Sequence, residues 1–315
     1  MAFESTTREL LEGINSEIKS LRYKDYAKEV RNIKTFQIGV LPVTLMYPAV
    51  ATLPNKETYG NFRTGGGYDI MRTIRIEGFA KDINVTKAQQ QATKIGEDIR
   101  EGLLRSLHII KNDASNKQIT FASDIGNVVL AEPAAGEDFV IGKFVLMADF
   151  YSKDALPSSR KQTALVSGKD QEEIFKQIVS IANSNKRIHY SKVNKIYDTS
   201  LPVIMHSAMP SIFIEEEQSE SEDFEASRDT ITRRYRFSVF TKALSKVSML
   251  WDNIEVIEGL RKMLYENYNI NGYVKNSKIV DVSYQISIPT SSSMPLYNTS
   301  MLFEAECYRN VIFNS

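Results

Sequence analysis

The sequence predicts an α+β fold: two tandem repeats of a helix-strand-strand-helix-strand-strand unit, each a mostly antiparallel sheet with helices packed on it. Three observations predict it. First, residues 71–104 recur without a gap 161 positions later, with seven identities over 34 aligned positions. Arg72 falls on Arg233, Arg75 on Arg236, Phe79 on Phe240, Lys81 on Lys242, Glu97 on Glu258, Arg100 on Arg261 and Leu103 on Leu264. Second, the repeated stretch changes period part-way, from alternating apolar residues to apolar residues three and four apart, which is a strand followed by a helix. Third, 315 residues is a length for about two domains, and a repeat period of that size means two whole domains rather than a solenoid. The division expected is residues 1–153, a linker at 154–168, and residues 169–315.

Within the first half, Leu10, Leu11, Ile14, Ile18 and Leu21 recur at helical spacing, so residues 8–29 are expected as an amphipathic helix with Thr6 and Thr7 as caps. Residues 36–51 are rich in Val, Leu and Tyr but carry Pro42 and Pro48. A proline donates nothing to a ladder, so this is an edge strand or one broken by a bend. Residues 54–67 hold Pro54, Asn55, Gly60, Asn61 and three successive glycines, the chemistry of a turn or loop. Tyr68 to Ile83 alternates as a strand, with a slip of phase near Thr73 suggesting a bulge. Thr86 then caps a helix reaching about Ile109, with Ala88, Ala92, Ile95, Ile99, Leu103 and Leu107 facing inward. Residues 117–130 and 138–151 complete the unit as strands, the second through an apolar run, FVLMADFY, suited to a central position.

Residues 154–168, DALPSSRKQTALVSG, are small and polar and make the boundary. The order then repeats. Ile174, Ile178 and Ile181 mark a helix over 172–183, and residues 192–214 form a strand interrupted by Pro202 and Pro210. The strand 229–244 and helix 245–267 follow, then strands at 273–288 and 296–309. LPV at 41–43 meets LPV at 201–203, and FVLMADFY from 144 meets MLFEAECY from 301, so the duplication spans nearly the whole chain.

The composition removes several classes of function. Lys plus Arg equals Asp plus Glu at 39 each, leaving no global field to draw the chain onto DNA or an anionic membrane. Cys307 is the single cysteine, which rules out an internal disulfide or a cysteine zinc site. No run of 18 apolar residues marks a membrane span, and the polar opening MAFESTTRELLEG is not a signal peptide, so synthesis in a cytoplasm is expected. His108, His189 and His206 are scattered, and none has a second ligand at metal-binding spacing. Cys307 lies in an apolar strand, the setting of an inert buried thiol. The glycines of RTGGGYD, residues 63–69, precede a strand and are not followed by a Lys-Ser/Thr pair opening a helix, so they do not make a phosphate loop. Arg72, Arg75, Lys81 and their repeats read as the solvated face of a half-exposed strand, with a DNA-facing surface as the sharper alternative. EEEQSESEDFE, residues 215–225, has seven carboxylates and no cation: a solvated loop, or an arm that docks on a basic ring or repels the DNA backbone, its alternating Ser and Glu only weakly suited to metal. Glu216 and Glu222 have no pocket to support paired-carboxylate hydrolysis. No catalytic residue, cofactor or metal site is therefore expected.

An α+β unit of this order, helix-strand-loop-strand-helix-strand-strand, with extended loops at 54–67 and 215–228, resembles the tail terminator and tail-completion proteins of tailed phages. The resemblance implies a non-enzymatic virion protein forming a ring that caps the tail tube and joins it to the neck or sheath. It implies six chains, or three where each chain supplies two units. Its partners would be further copies of itself and tube, sheath or neck proteins, with passing contact to DNA in the lumen and none to a membrane. Carried onto this sequence, the partner-binding loops are Arg63, Gly65, Gly66 and Gly67 on one side and Glu215, Glu216, Glu217, Glu220, Glu222 and Asp223 on the other. Two alternatives stand beside it: a component of a related contractile injection system, and a duplicated enzyme with its site between the halves.

Overall fold

Leu10, Leu11, Ile14 and Ile18 are fully buried along one side of α1 (Thr6–Ser20), as their spacing requires. The computed structural model describes residues 6–39, 46–63, 67–106, 110–112, 117–135, 139–155, 171–198, 209–217, 230–242, 246–287 and 296–308. Among these the protein is α+β, with four α-helices and mostly antiparallel β-structure. It divides into two compact units whose main bodies are Ser5–Asp154 and Ala155–Ser315. The expected linker beyond Ala155, both LPV segments, His108 and His206 lie outside the described residues.

In the N-terminal unit, α1 stops at Ser20, well short of residue 29, and gives way to two single 3-10 turns, Leu21–Tyr23 and Val30–Asn32. The Ser20 hydroxyl donates to the Glu17 carbonyl at 2.7 Å, a local bond that competes with helix continuation. The second turn is held from outside: Asp98 accepts the backbone N–H groups of Glu29 at 2.7 Å and Val30 at 3.4 Å. The stretch 36–51 is two strands rather than one. β1 (Thr35–Ile38) runs parallel to β2 (Ala49–Arg63), Thr35 opposite Ala49, and the Pro48 carbonyl accepts the Lys34 N–H at 2.8 Å. The Tyr47–Pro48 peptide is cis.

The expected loop 54–67 is mostly strand. β2 runs through it to Arg63 and pairs antiparallel with β3 (Gly67–Asp82). Pro54 is tolerated because the register shifts between Pro54 and Lys56, a bulge at which the missing donor costs no ladder bond. The shift faces Thr73 and Ile74, so the irregularity expected in β3 sits in its neighbour. Burial in β3 alternates without a break through Ile70, Arg72, Ile74, Ile76, Gly78 and Ala80.

α2 (Val85–Arg105) is capped by Asn84, not Thr86: the Asn84 side chain accepts from the Lys87 N–H at 3.1 Å. Ala88, Ala92, Ile95, Ile99 and Leu103 are fully buried as expected. β4 (Ile110–Asn112), β5 (Lys117–Ile125), β6 (Val129–Ala135) and β7 (Val140–Ala155) follow. The strand expected over 117–130 is broken at Gly126, whose N–H donates to the Met147 carbonyl at 2.9 Å. β5 and β6 pair with successive parts of β7. The order is β4-β5-β7-β3-β2, with β1 on β2 and β6 on β7. β7 is thus interior, and its Phe144, Leu146, Ala148 and Phe150 are buried, Phe144 lying against Gly96 of α2.

The C-terminal unit opens with α3 (Gln171–His189), longer than its expected end at 183, with Ile174, Ile178 and Ile181 buried. β8 (Lys195–Tyr197) runs parallel to β9 (Ser211–Glu217), Lys195 opposite Ser211. The Pro210 carbonyl accepts the Asn194 N–H at 2.7 Å. β10 (Thr230–Thr241), α4 (Lys246–Glu266), β11 (Asn276–Ser287) and β12 (Leu296–Tyr308) complete it, in the order β11-β12-β10-β9-β8. α4 is buried on several sides, by Met249, Leu250, Ile254, Val256, Ile257, Leu260 and Leu264, as a helix flanked by both sheet and helix must be. It packs on β10 and β12 and against α3.

Candidate functional site

The repeated cations separate by face. Arg72 points into the N-terminal core and is 1% exposed. Its Nε donates to the Thr7 hydroxyl at 3.2 Å and lies 3.7 Å from the Glu57 carboxylate, and its Nη1 donates to the Ser152 hydroxyl. Glu57 in turn accepts from Thr7 at 2.7 Å and from the Tyr59 hydroxyl at 2.8 Å. β2, β3 and α1 thus enclose a buried charge pair to which the hydroxyls of Thr7, Tyr59 and Ser152 contribute hydrogen bonds. The expectation that Arg72 lies on a solvated face is corrected: odd and even positions of β3 are set by its pairing, and Arg72 falls in phase with Ile70 and Ile74.

Arg75, Lys81, Arg234, Arg236 and Lys278 lie on the opposite faces and are engaged, whereas Arg233 falls in phase with the buried Tyr235. Arg75 pairs with Glu77, which also meets Lys143 at 3.3 Å. Lys81 stands 3.6 Å from the ring centroid of Phe139. Arg236 pairs with Glu217, lies 3.9 Å from Glu215 and donates to the Ser300 hydroxyl at 3.0 Å. Arg234 meets Glu304 at 2.9 Å, and Lys278 meets the same carboxylate at 3.2 Å. Cross-strand pairs of this exposure contribute about 0–1 kcal/mol each and act mainly on strand register.

This arrangement places the sequence-derived loop residues differently from one another. Glu215, Glu216 and Glu217 are not loop residues but the end of β9, opposite Arg236, Tyr235 and Arg234. Glu216 lies 3.4 Å from Arg233. Arg63 ends β2 and Gly67 begins β3, paired with each other. Gly65, Gly66, Glu220, Glu222 and Asp223 lie outside the described residues.

Cys307 is buried in β12, and burial pushes its thiol up to about 11, although the Arg233 guanidinium beside it pulls the other way. A thiol held neutral in this way is a poor nucleophile. Burial also raises the Tyr190 and Tyr235 phenols, and the Tyr190 hydroxyl donates to the Ala182 carbonyl. His189 does have a carboxylate neighbour that sequence spacing hid: its Nε2 is 3.0 Å from Glu266, with side-chain exposures of 5% and 14%. The two residues are 77 positions apart at the ends of α3 and α4, so only the helix packing brings them together. Among the described residues no group of three His, Cys, Asp or Glu is placed to hold a metal ion, and no helix is long and apolar enough to cross a membrane.

What the described surface does present is strand edge. β6 shows exposed side chains on both faces, and β8 ends the order of the C-terminal unit with Lys195 exposed. No protein-family model and no curated protein matches the chain.

Proposed function

We propose that the chain is a non-enzymatic structural protein of a phage virion, built from two tandem copies of one α+β unit. It forms a ring that caps the tail tube and joins it to the neck or sheath. The observation that carries this reading is the agreement of strand order within the two units: β1-β2-β3-β7-β5 in the first and β8-β9-β10-β12-β11 in the second. Both begin with a short strand parallel to its neighbour, the rarer pairing. In both, a carbonyl of the proline before the second strand accepts the N–H that precedes the first, at 2.8 and 2.7 Å. In both, an arginine at the repeated position, Arg72 or Arg233, meets a glutamate of the preceding strand, Glu57 or Glu216. Independent origins would have to reach all of these separately, which favours duplication of the unit whose order of elements the tail-completion resemblance rests on.

A ring protein works through surfaces, closing by a contact between unlike patches on successive copies. The carboxylates and arginines of β9 and β10 order those strands, while the residues that follow Arg63 and Glu217 would reach toward tube, neck or sheath proteins, and the lumen would pass DNA. Light scattering on the purified protein tests the reading, followed by negative-stain imaging. The expected result is a particle of three or six times the 35.7 kDa chain mass with a central hole. A compact monomer that stays monomeric when mixed with tube protein would sink it.

A further inference from the structure

Two strand edges carry complementary chemistry. Among the described residues β6 pairs only with β7. Its Val129 and Leu130 are 61% and 48% exposed and lie on opposite faces, Val129 across from Val145 and Leu130 across from the buried Phe144. Glu132, Pro133 and Ala134 follow, all exposed. α2 reaches the strand at Ala131, whose carbonyl accepts from the Gln89 amide at 3.1 Å. The result is a short apolar edge with one acidic side chain, of the kind that folded proteins cover or pair.

The other edge is β8, which pairs only with β9 among the described residues. Lys195 is exposed and Ile196 half-buried. The last turn of α3 is tied beside it, the Lys186 ammonium donating to the Asn194 carbonyl at 2.6 Å, and carries exposed Arg187 and Ile188, the latter 74% exposed. Lys192 is turned to α4, where it meets Asp252 at 2.8 Å and Glu255 at 2.7 Å. Asp198 follows the strand and is exposed. The edge is therefore apolar and on balance basic.

We infer that the two edges are the halves of one contact between copies of this chain: β6 of one copy adds to the sheet beyond β8 of the next. Val129 and Leu130 meet Ile188 and Ile196, and Glu132 meets Lys195 and Arg187. The occupant is a second copy in head-to-tail arrangement because like edges repel. Pairing β6 with β6 sets Glu132 near Glu132, and pairing β8 with β8 gathers Lys195 and Arg187 with their duplicates, both unfavourable across strands. Unlike edges on successive copies make a heterologous contact, which propagates until it closes. Pro133 limits the added strand to the residues before it. This inference rests on the ring reading and names its interface.

Cysteine cross-linking of the full chain tests it. Glu132→Cys and Lys195→Cys are made singly and together, at exposed positions where neither disturbs the core, while buried Cys307 offers no competing thiol. Under mild oxidation a mixture of the two single variants is expected to give a covalent dimer that neither gives alone. The double variant is expected to give a ladder ending at the number of chains in the ring. Rings that form in light scattering without the mixed cross-link overturn this interface and leave the ring reading standing. Chains that neither assemble nor cross-link overturn both, and a mixed cross-link between chains that form no closed ring upholds the contact and overturns ring closure.

Discussion

Arg72 holds a positive charge inside the N-terminal core, and the groups around it decide whether the position is tolerable. Glu57 at 3.7 Å supplies the countercharge, and Thr7 and Ser152 accept from the guanidinium. Removing one member of a buried pair costs about 3–5 kcal/mol, whereas replacing both by well-packed hydrophobic residues of similar volume is often close to neutral. Arg72→Met is therefore expected to lower the urea midpoint sharply, and Arg72→Met with Glu57→Gln to recover most of the loss. A double variant as unstable as the single one would show that Arg72 acts by packing alone. The burial of Arg72 was not legible in the sequence, where a charged residue between Ile70 and Ile74 reads as a change of phase. Its partners Thr7 and Ser152 are 65 and 80 positions away, beyond the reach of any local pattern. Cys307 was legible, because its own apolar strand is what buries it. Glu215 to Glu217 were not: a run of like charge reads as loop until the register sets it against Arg234 and Arg236.

At the scale of elements, the helices and sheet meet at glycines where a side chain would not fit. An added Cβ at Gly259 of α4 would lie well inside contact with the backbone carbonyl of His189 at the end of α3, and one at Gly142 of β7 would do the same with Ala88 of α2. Two effects compete in Gly259→Ala. Helix propensity favours alanine by about 0.8–1.0 kcal/mol, while overpacking against backbone that cannot rotate away costs about 1–3 kcal/mol. The clash is expected to win, so Gly259→Ala should lower the melting temperature. Gly60→Ala, at an exposed strand position whose nearest neighbour is the Asp69 Cβ at 3.3 Å, should change it little. A stabilised Gly259→Ala would mean that α3 shifts freely on α4. Helix faces were the most legible elements, since Leu10, Ile14, Ile95, Ile99, Ile174 and Ile178 all occupy the buried sides their spacing assigns. The parallel β1 and β8 were hidden, because prolines between paired segments read as interruptions of one strand. Pro54 misled for the opposite reason, since a bulge in β2 accommodates it.

For the whole molecule, each unit holds two helices, a run of strands and many buried apolar residues. A domain of about 150 residues buries roughly 68–70% of the surface its unfolded chain exposes, enough to be stable alone. The two arginine-glutamate pairs likewise close within their own units, Arg72 with Glu57 and Arg233 with Glu216. Stability should then be local to each unit, in the manner of separate cooperative segments. A protease site placed within residues 156–170 puts this to measurement. After cleavage, amide protection in α2 and β3, and separately in α4 and β10, is expected to match that of the intact chain. Loss of protection on one side of the cut would show that this side does not hold its fold without the intact chain. If the two units arose by duplication, as proposed, the opposite is expected, because a single ancestral unit had to fold without the second.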